Sequence, residues 1–299
     1  MPTPQHYDVV YIGNYTKDTI VSPRGTLYVD GGAVNYAAHA AVRLGFKVAV
    51  VTRLSREDDR MIDRLTESGV DCYPEYTPSS TDMRLEYPTL NPDVRNLSVT
   101  ATAGSITVEQ VSGLNTQAAV IGTSLRGEVG LDVIESLRSK KLLLAADMQG
   151  FVRVLENRTL VYKSWDELNA VLAKIDILKS DAVEAEFLTG EKDIYKAAKF
   201  FADRGPSEIV LTHKDGVLFW AEGKITEEKF VNRKMDGRSG RGDTCLGTYA
   251  AMRLKKSPAE AGMWAAAVTS MKMEKLGPFD RSLNEAMEYI REYYPHARI

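Results

Sequence analysis

The run DGRSGRGDTCLGT at 236–248 holds the residues best suited to chemistry. Gly237, Gly240 and Gly242 make the backbone permissive just before an apolar helical stretch. A glycine-rich turn there leaves several N–H groups without intrahelical partners, and together with the helix dipole they suit a phosphate. Asp243 falls in the first turn, beside the place an anion would take. A carboxylate there repels a bound phosphate. Its presence makes sense if it removes a proton from an incoming hydroxyl while the amides hold the transferred group. General-base help of this kind is worth roughly 10²–10⁴ in rate, and the amide donors stabilise charge that builds up in transfer. The alternative is that Asp243 only caps the helix beside Thr244 and the glycines form a plain turn. Arg241-Gly242-Asp243 as an adhesion motif would need an exposed loop on a secreted protein, and nothing in the sequence points to secretion. Walker-type G-x-x-x-x-G-K-S/T is absent, and no G-x-G-x-x-G follows the first expected strand, so neither of those nucleotide sites is expected.

Such a turn must be carried by a scaffold. Short apolar runs at 7–12, 47–52, 118–121, 142–146, 175–178 and 209–212 read as buried strands. Helical patterns at 35–44, 59–68, 131–139 and 182–189 fall between them, with Gly45 as a helix stop. That alternation predicts parallel βαβ units with helices on both faces. Three more helices are expected at 244–254, 258–273 and 282–293. Two segments break the pattern, 19–29 and 73–99, rich in Thr, Tyr, Val, Pro and Ser with hairpin-like spacing. They read either as a small β-layer over the C-terminal ends of the parallel strands, where open α/β sheets bind ligands, or as plain surface hairpins.

Composition narrows the function classes. In 299 residues, 44% are hydrophobic and 26% charged, and 38 Lys+Arg against 41 Asp+Glu leave a net charge of −3. That is an ordinary globular balance without the basic stripe of a nucleic-acid binder. Cys72 and Cys245, far apart in sequence, fit a reducing compartment. No apolar run approaches the roughly 20 residues of a membrane span, and no leader-like segment opens the chain. The expectation is a cytoplasmic protein acting on a small molecule, with no nucleic-acid or membrane partner.

Four segments together resemble the ribokinase-like (PfkB) carbohydrate kinases. GRSGRGDTC stands where that family has D-T-x-G-A-G-D-x-F, and GGAVNYAAHAAVRLG at 31–45 where it has a glycine pair, an Asn and a Leu-Gly. LKSDAVEAEFLTG at 178–190 resembles its K-P-N-x-x-E-x-E-x-L-T-G, and IVLTHKDGVLFW at 209–220 its V-V-T-x-G-x-x-G. The matches keep the family's order over nearly the whole chain. The resemblance implies a single three-layer α/β/α sandwich over 1–299, a mostly parallel central sheet, and lid strands inserted at about 15–31 and 73–99. It implies transfer of the γ-phosphoryl of Mg-ATP to a hydroxyl of a sugar or cyclic polyol.

At matched positions Asp243 would be the catalytic base, and the backbone of Gly240, Arg241 and Gly242 the anion hole. Asp18, Gly31, Gly32 and Asn35 match the substrate end. Glu184 matches the glutamate that organises magnesium through water. Asp181, Thr212, Lys214, Gly216 and Arg238 lie where the family contacts the nucleotide, and 266–270 would line the adenine. A lid edge could also pair with a second subunit's lid as a homodimer.

Departures bear on these roles. Arg241 replaces the family alanine, and a cation beside the phosphates either neutralises charge or forms a surface pair. Gly237 replaces the opening aspartate, which helps many relatives bind a monovalent cation, so potassium activation is in doubt. Asp181 replaces the usual Asn, and only two residues separate Gly32 from Asn35. The stretch AADMQGFVRV at 145–154 resembles the branch that includes myo-inositol kinases. Asp147 and Gln149 would then meet ring hydroxyls, with Glu128 as a further acceptor and Arg153 nearby. Otherwise Asp147 ends a strand and Arg153 pairs with a surface acid. Arg84 reads as a solvated edge charge, His39 as a packing residue and His213 as an exposed turn. His6, His39, His213 and His296 show no metal-ligand spacing. Two other functions stay open: a nucleoside kinase, with Tyr73, Tyr76 and Tyr87 around a base slot, and a non-catalytic sugar sensor on the same fold.

Overall fold

In the first strand Val9 and Tyr11 pack to one side while Val10 and Ile12 pack to the other, and all four are buried. Such two-sided burial is what a parallel strand between helix layers requires. The computed structural model describes residues 5–89 and 96–295. Residues 90–95 of the expected inserted segment, and His296, lie outside them.

The chain runs β1 (His6–Ile12), β2 (Thr16–Ser22), β3 (Gly25–Gly31), α1 (Ala33–Arg43), β4 (Val48–Leu54), α2 (Arg60–Glu67), β5 (Asp71–Tyr76), β6 (Thr81–Glu86) and β7 (Asn96–Ala101). It continues through α3 (Val108–Ser112), β8 (Asn115–Ile121), α4 (Leu131–Ser139), β9 (Leu143–Asp147), α5 (Gln149–Val152), β10 (Arg153–Glu156) and β11 (Thr159–Tyr162). Then follow α6 (Leu168–Leu172), β12 (Ile177–Asp181), α7 (Ala182–Thr189), α8 (Ile194–Ala202), β13 (Glu208–Thr212), β14 (Gly216–Ala221) and β15 (Lys224–Lys229). The last helices are α9 (Arg241–Met252), α10 (Pro258–Met273) and α11 (Leu283–Tyr293).

Nine strands form the central sheet in the order β15-β14-β13-β12-β9-β8-β1-β4-β5. From β13 to β5 every pairing is parallel, and β14 and β15 add an antiparallel edge. One face is covered by α1, α2, α9, α10 and α11, the other by α3, α4, α6, α7 and α8. A three-layer body results.

The second sheet has six strands in the order β10-β11-β7-β6-β2-β3. Its strands leave the body after β1, after β5 and after β9, all at the C-terminal ends of parallel strands. The sheet therefore hangs over the edge where ligands of open α/β sheets bind. In register, Asp18 pairs with Met83 and Ile20 with Leu85, and Met83 pairs with Val99. These side chains share one face, whose small core is Met83, Leu85 and Val99.

Two expectations are corrected. Tyr73–Tyr76 is not in the second sheet, because β5 pairs in parallel with β4 as the edge of the central one. Tyr-Pro-Glu-Tyr reads as a strand but carries no mark of which sheet receives it. The hairpin β10–β11 joins the second sheet unforeseen, through a turn with Asn157 and Arg158 at φ 48 and 67. That pair of positive φ values marks the tight turn that suits twisted hairpins.

Candidate active site

The parallel strands deliver their C-terminal residues to one line. Asp147 ends β9, Asp181 ends β12 and Thr212 ends β13. Cα register pairs Asp147 with Lys179 and Asp181 with Thr212. Beside them the N-termini of α1, capped by Gly32, and α9, capped by Gly240, open onto the same edge. Gly240 has φ 76, and a Cβ there would strike the Tyr36 ring. Only glycine satisfies both constraints. Along α9 the first ladder bond is Thr244 N–H to Gly240 O at 2.9 Å, so the Gly242 and Asp243 N–H groups have no partner within the helix. A Cβ on Gly242 would lie 2.5 Å from Lys179 Nζ, which brings that ammonium against the turn.

Asp243 is partly accessible. Beneath it a cavity of about 10 Å³ is lined by Tyr11, Val34, Val120, Gly122, Asp147 and Leu246, space for about one water. Enclosure by these mostly apolar walls raises the Asp243 pKa to about 6, with Asp147 adding and Lys179, Arg153 and Lys272 opposing. A carboxyl so poised is suited to accept a proton near neutral pH.

Behind Asp243 lies a buried charge network. Lys179 Nζ donates to Asp147 Oδ2 at 2.8 Å, and the two side chains are 4% and 3% exposed. Burial disfavours the ammonium, but Asp147, Glu184 and Asp181 outweigh it and the Lys179 pKa is raised. Arg153 Nη2 meets Glu184 Oε1 at 3.2 Å, also buried. Glu184 in turn accepts the Asp181 N–H, while Asp181 Oδ1 accepts the Glu184 N–H at 2.8 Å, a reciprocal cap on α7. Burial and the neighbouring Asp181 push the Glu184 carboxyl upward. Arg153 was expected at the polyol or on the surface. It is buried at the start of β10 and paired with Glu184.

The other expected residues divide. Asp18, on the inner face of the second sheet, packs against Gly31, where a Cβ would come within 2.5 Å of its Oδ2. Asn35 is buried and its amide donates to Asp30 O at 2.9 Å, bracing the return from β3. Gln149 opens α5, and its N–H donates to Asp147 Oδ1 at 3.0 Å. Glu128 is buried beside Asn14 and accepts the Ser124 N–H at 2.9 Å. Burial lifts its pKa to about 8, while the Ser124 N–H and Asn14 oppose the shift. Lys214 lies in an exposed turn and Gly216 begins β14. Arg238 is exposed, its carbonyl accepting the Arg241 N–H at 3.3 Å, and the Arg241 guanidinium lies 5.7 Å from the Phe230 ring centre. His39 bonds Asn35 O at 2.8 Å, and His213 stays in its own turn.

The expected adenine-lining face is closed. Ala266–Ser270 are fully buried, and Ser270 Oγ bonds Ala266 O at 2.7 Å, the Val231 N–H at 3.0 Å and Tyr294 Oη at 3.2 Å. Helix α11 and the strand end at Lys229 cover that side of α10.

Lys179 and Lys272 were missed in the sequence. Each is a lone lysine in an apolar run, and that interruption was the available signal. Among the described residues no group of three or more His, Cys, Asp or Glu side chains forms a metal cluster.

This arrangement joins a helix-terminal amide turn, a poised carboxyl and a two-sheet cleft. Residues 8–284 match the model of the pfkB family carbohydrate kinases. The chain belongs to that family. PfkB-family enzymes are phosphotransferases acting on sugar or polyol hydroxyls, and this one is a kinase of that class with the ribokinase-like fold. A pyrophosphate-dependent kinase of the ribokinase family, solved with sulfate, is 34% identical with a TM-score of 0.88, over 94% of this chain and 100% of its own. A pyrophosphate-dependent myo-inositol-1 kinase, converted into a myo-inositol-3 kinase by two substitutions, is 33% identical with a TM-score of 0.87, over 96% and 99%. The ribokinase of Arabidopsis thaliana, complexed with ribose and ATP, is 15% identical with a TM-score of 0.76 over 96% and 99%, a likeness of fold. No curated protein matches the chain.

Proposed function

We propose that this PfkB-family kinase transfers a phosphoryl group from pyrophosphate to a hydroxyl of a cyclic polyol of the myo-inositol class, with Asp243 as general base. The observation that carries the reaction is the partly accessible Asp243, its pKa near 6, one residue from the free amides of the α9 turn. The polyol hydroxyl oxygen attacks the transferred phosphorus, its proton passes to Asp243, and the bond to the leaving phosphate breaks. Amides of Gly240, Gly242 and Asp243 would hold the charge on the phosphoryl oxygens. Asp18 from the lid, with Glu128 and Gln149 from the body, would orient the ring hydroxyls. Closing the second sheet over the cleft keeps water from taking the phosphoryl group.

Two features favour pyrophosphate over the ATP that the family resemblance implied. Solved pyrophosphate-dependent kinases share a third of the sequence over almost the whole length. The α10 face expected to hold adenine is core here. Magnesium fits the acidic end of β12, where Asp181 raises the pKa of buried Glu184 and a dication would relieve that repulsion. Asp181, with Glu184 through water, would hold it, since Mg²⁺ commonly takes one or two carboxylates plus phosphate oxygens. When bound it neutralises charge on the donor phosphates.

The nucleoside reading loses two of its three aromatics, as Tyr73 and Tyr76 stand on β5 and bond Tyr7 and Asp59. The test is a donor-by-acceptor screen: pyrophosphate and ATP with magnesium, with and without potassium, against myo-inositol, sugars and nucleosides. Product from pyrophosphate and a cyclitol is expected. Product only from ATP overturns the donor, product only from nucleosides overturns the acceptor, and no product with any pair supports a sensor.

A further inference from the structure

Lys272 is 2% exposed, in the last turn of α10, a helix in which every residue from Ala261 to Met273 is buried. Its ammonium donates to Gly237 O at 2.6 Å and to Ser239 O, two carbonyls of the turn that leads into α9. It also lies 4.9 Å from the centre of the Tyr36 ring, the ring that packs on Gly240. The same turn is fixed from the other direction, because the Asp236 and Gly237 N–H groups both donate to Met273 O, at 3.1 and 2.9 Å.

A trans peptide points its C=O and the following N–H in opposite directions. With the Ser239 carbonyl drawn onto Lys272, the Gly240 N–H must face away from α10. With the Gly237 carbonyl drawn there too, the Arg238 N–H is turned likewise. We infer that Lys272 is a positioning residue, a tethered monovalent cation that locks these two peptide planes so that the Gly240 amide faces the phosphoryl group. Burial lowers the Lys272 pKa to about 8 while the Asp243 carboxylate favours the ammonium. A side chain without N–H donors would leave both carbonyls without this partner and the planes free to turn.

This rests on the reading of the α9 turn as the phosphoryl-holding site, and the experiment separates the two. Lys272→Ala and Lys272→Met are compared with wild type for polyol phosphorylation, with folding checked by circular dichroism. Wild-type turnover establishes the reaction; its absence removes the parent reading and not the positioning claim, which then rests on hydrogen exchange of amides 237–243. Removing a hole donor typically costs roughly 10²–10³ in kcat, and a loss of that size is expected for both variants, with KM for the polyol little changed. Methylammonium should rescue Lys272→Ala in a saturable way, and tetramethylammonium, which has no N–H, should not. Exchange at 237–243 should be faster in both variants and slowed in Lys272→Ala by methylammonium. A folded Lys272→Met with wild-type kcat, unchanged exchange at 237–243, or a folded Lys272→Ala that methylammonium never rescues would each overturn the proposal.

Discussion

At the scale of single residues, the partial desolvation of Asp243 does two opposing things. It tunes the carboxyl for proton transfer and it strains the fold. Its pKa rises from 3.8 to about 6. Between these pH values the folded chain keeps a proton that the unfolded chain releases. The stability from this group is thus complete below pH 3.8 and is lost as the pH rises through about 6. Asn at this position should therefore raise Tm at pH 7 to 8, with the gain shrinking toward pH 4. In wild type, kcat/KM should fall on the acid side with a midpoint near 6, as the base becomes protonated. Scanning fluorimetry and initial rates over pH 4 to 8 check both. Equal Tm values across the range would mean that the carboxyl is solvated. The glycines at 237, 240 and 242 alone left a plain capped turn open, and it was the family resemblance that singled out the Asp243 turn. Lys272 was not legible, since one lysine among methionines carries no spacing, and its meaning depends on which loop folds back over it.

At the scale of elements, register decides the electrostatics. The parallel pairing of β9 with β12 sets Asp147 beside Lys179, and neither charge meets water. Removing one partner of such a pair leaves a buried charge and commonly costs about 3–5 kcal/mol. Lys179→Met should lose stability of that order in urea unfolding. The double variant Lys179→Met with Asp147→Asn should recover much of it. If the single and double variants unfold at the same midpoint, the pair is not coupled as the geometry implies. Periodicity alone placed the parallel strands, because their two-sided burial leaves uninterrupted apolar runs. The β10–β11 hairpin was hidden by the Asn157-Arg158 turn, which lacks the usual glycine. Arg153, the first residue of that hairpin, pairs with Glu184.

On the scale of the whole molecule, the two sheets differ in what holds them. The nine-stranded sheet is packed on both faces, whereas the six-stranded one has a core of Met83, Leu85 and Val99. Ion pairs bind the smaller sheet to the body, Asp30 with Arg60 and Arg64, and Asp58 with Lys17. A layer so lightly anchored suits opening and closing over a substrate. The four-motif resemblance carried the three-layer architecture and the kinase class. It did not carry the burial of Ala266–Ser270, because that depends on how α11 packs over α10, a contact between distant segments. The central claim, that Asp243 takes the proton of an attacking polyol hydroxyl, is tested most directly by phosphorus NMR of pyrophosphate and myo-inositol with wild type and Asp243→Asn. A phosphate-ester resonance should grow with wild type and do so roughly 10²–10⁴ times more slowly with the Asn variant, at unchanged pyrophosphate affinity. An Asn variant that forms the ester at the wild-type rate would contradict it.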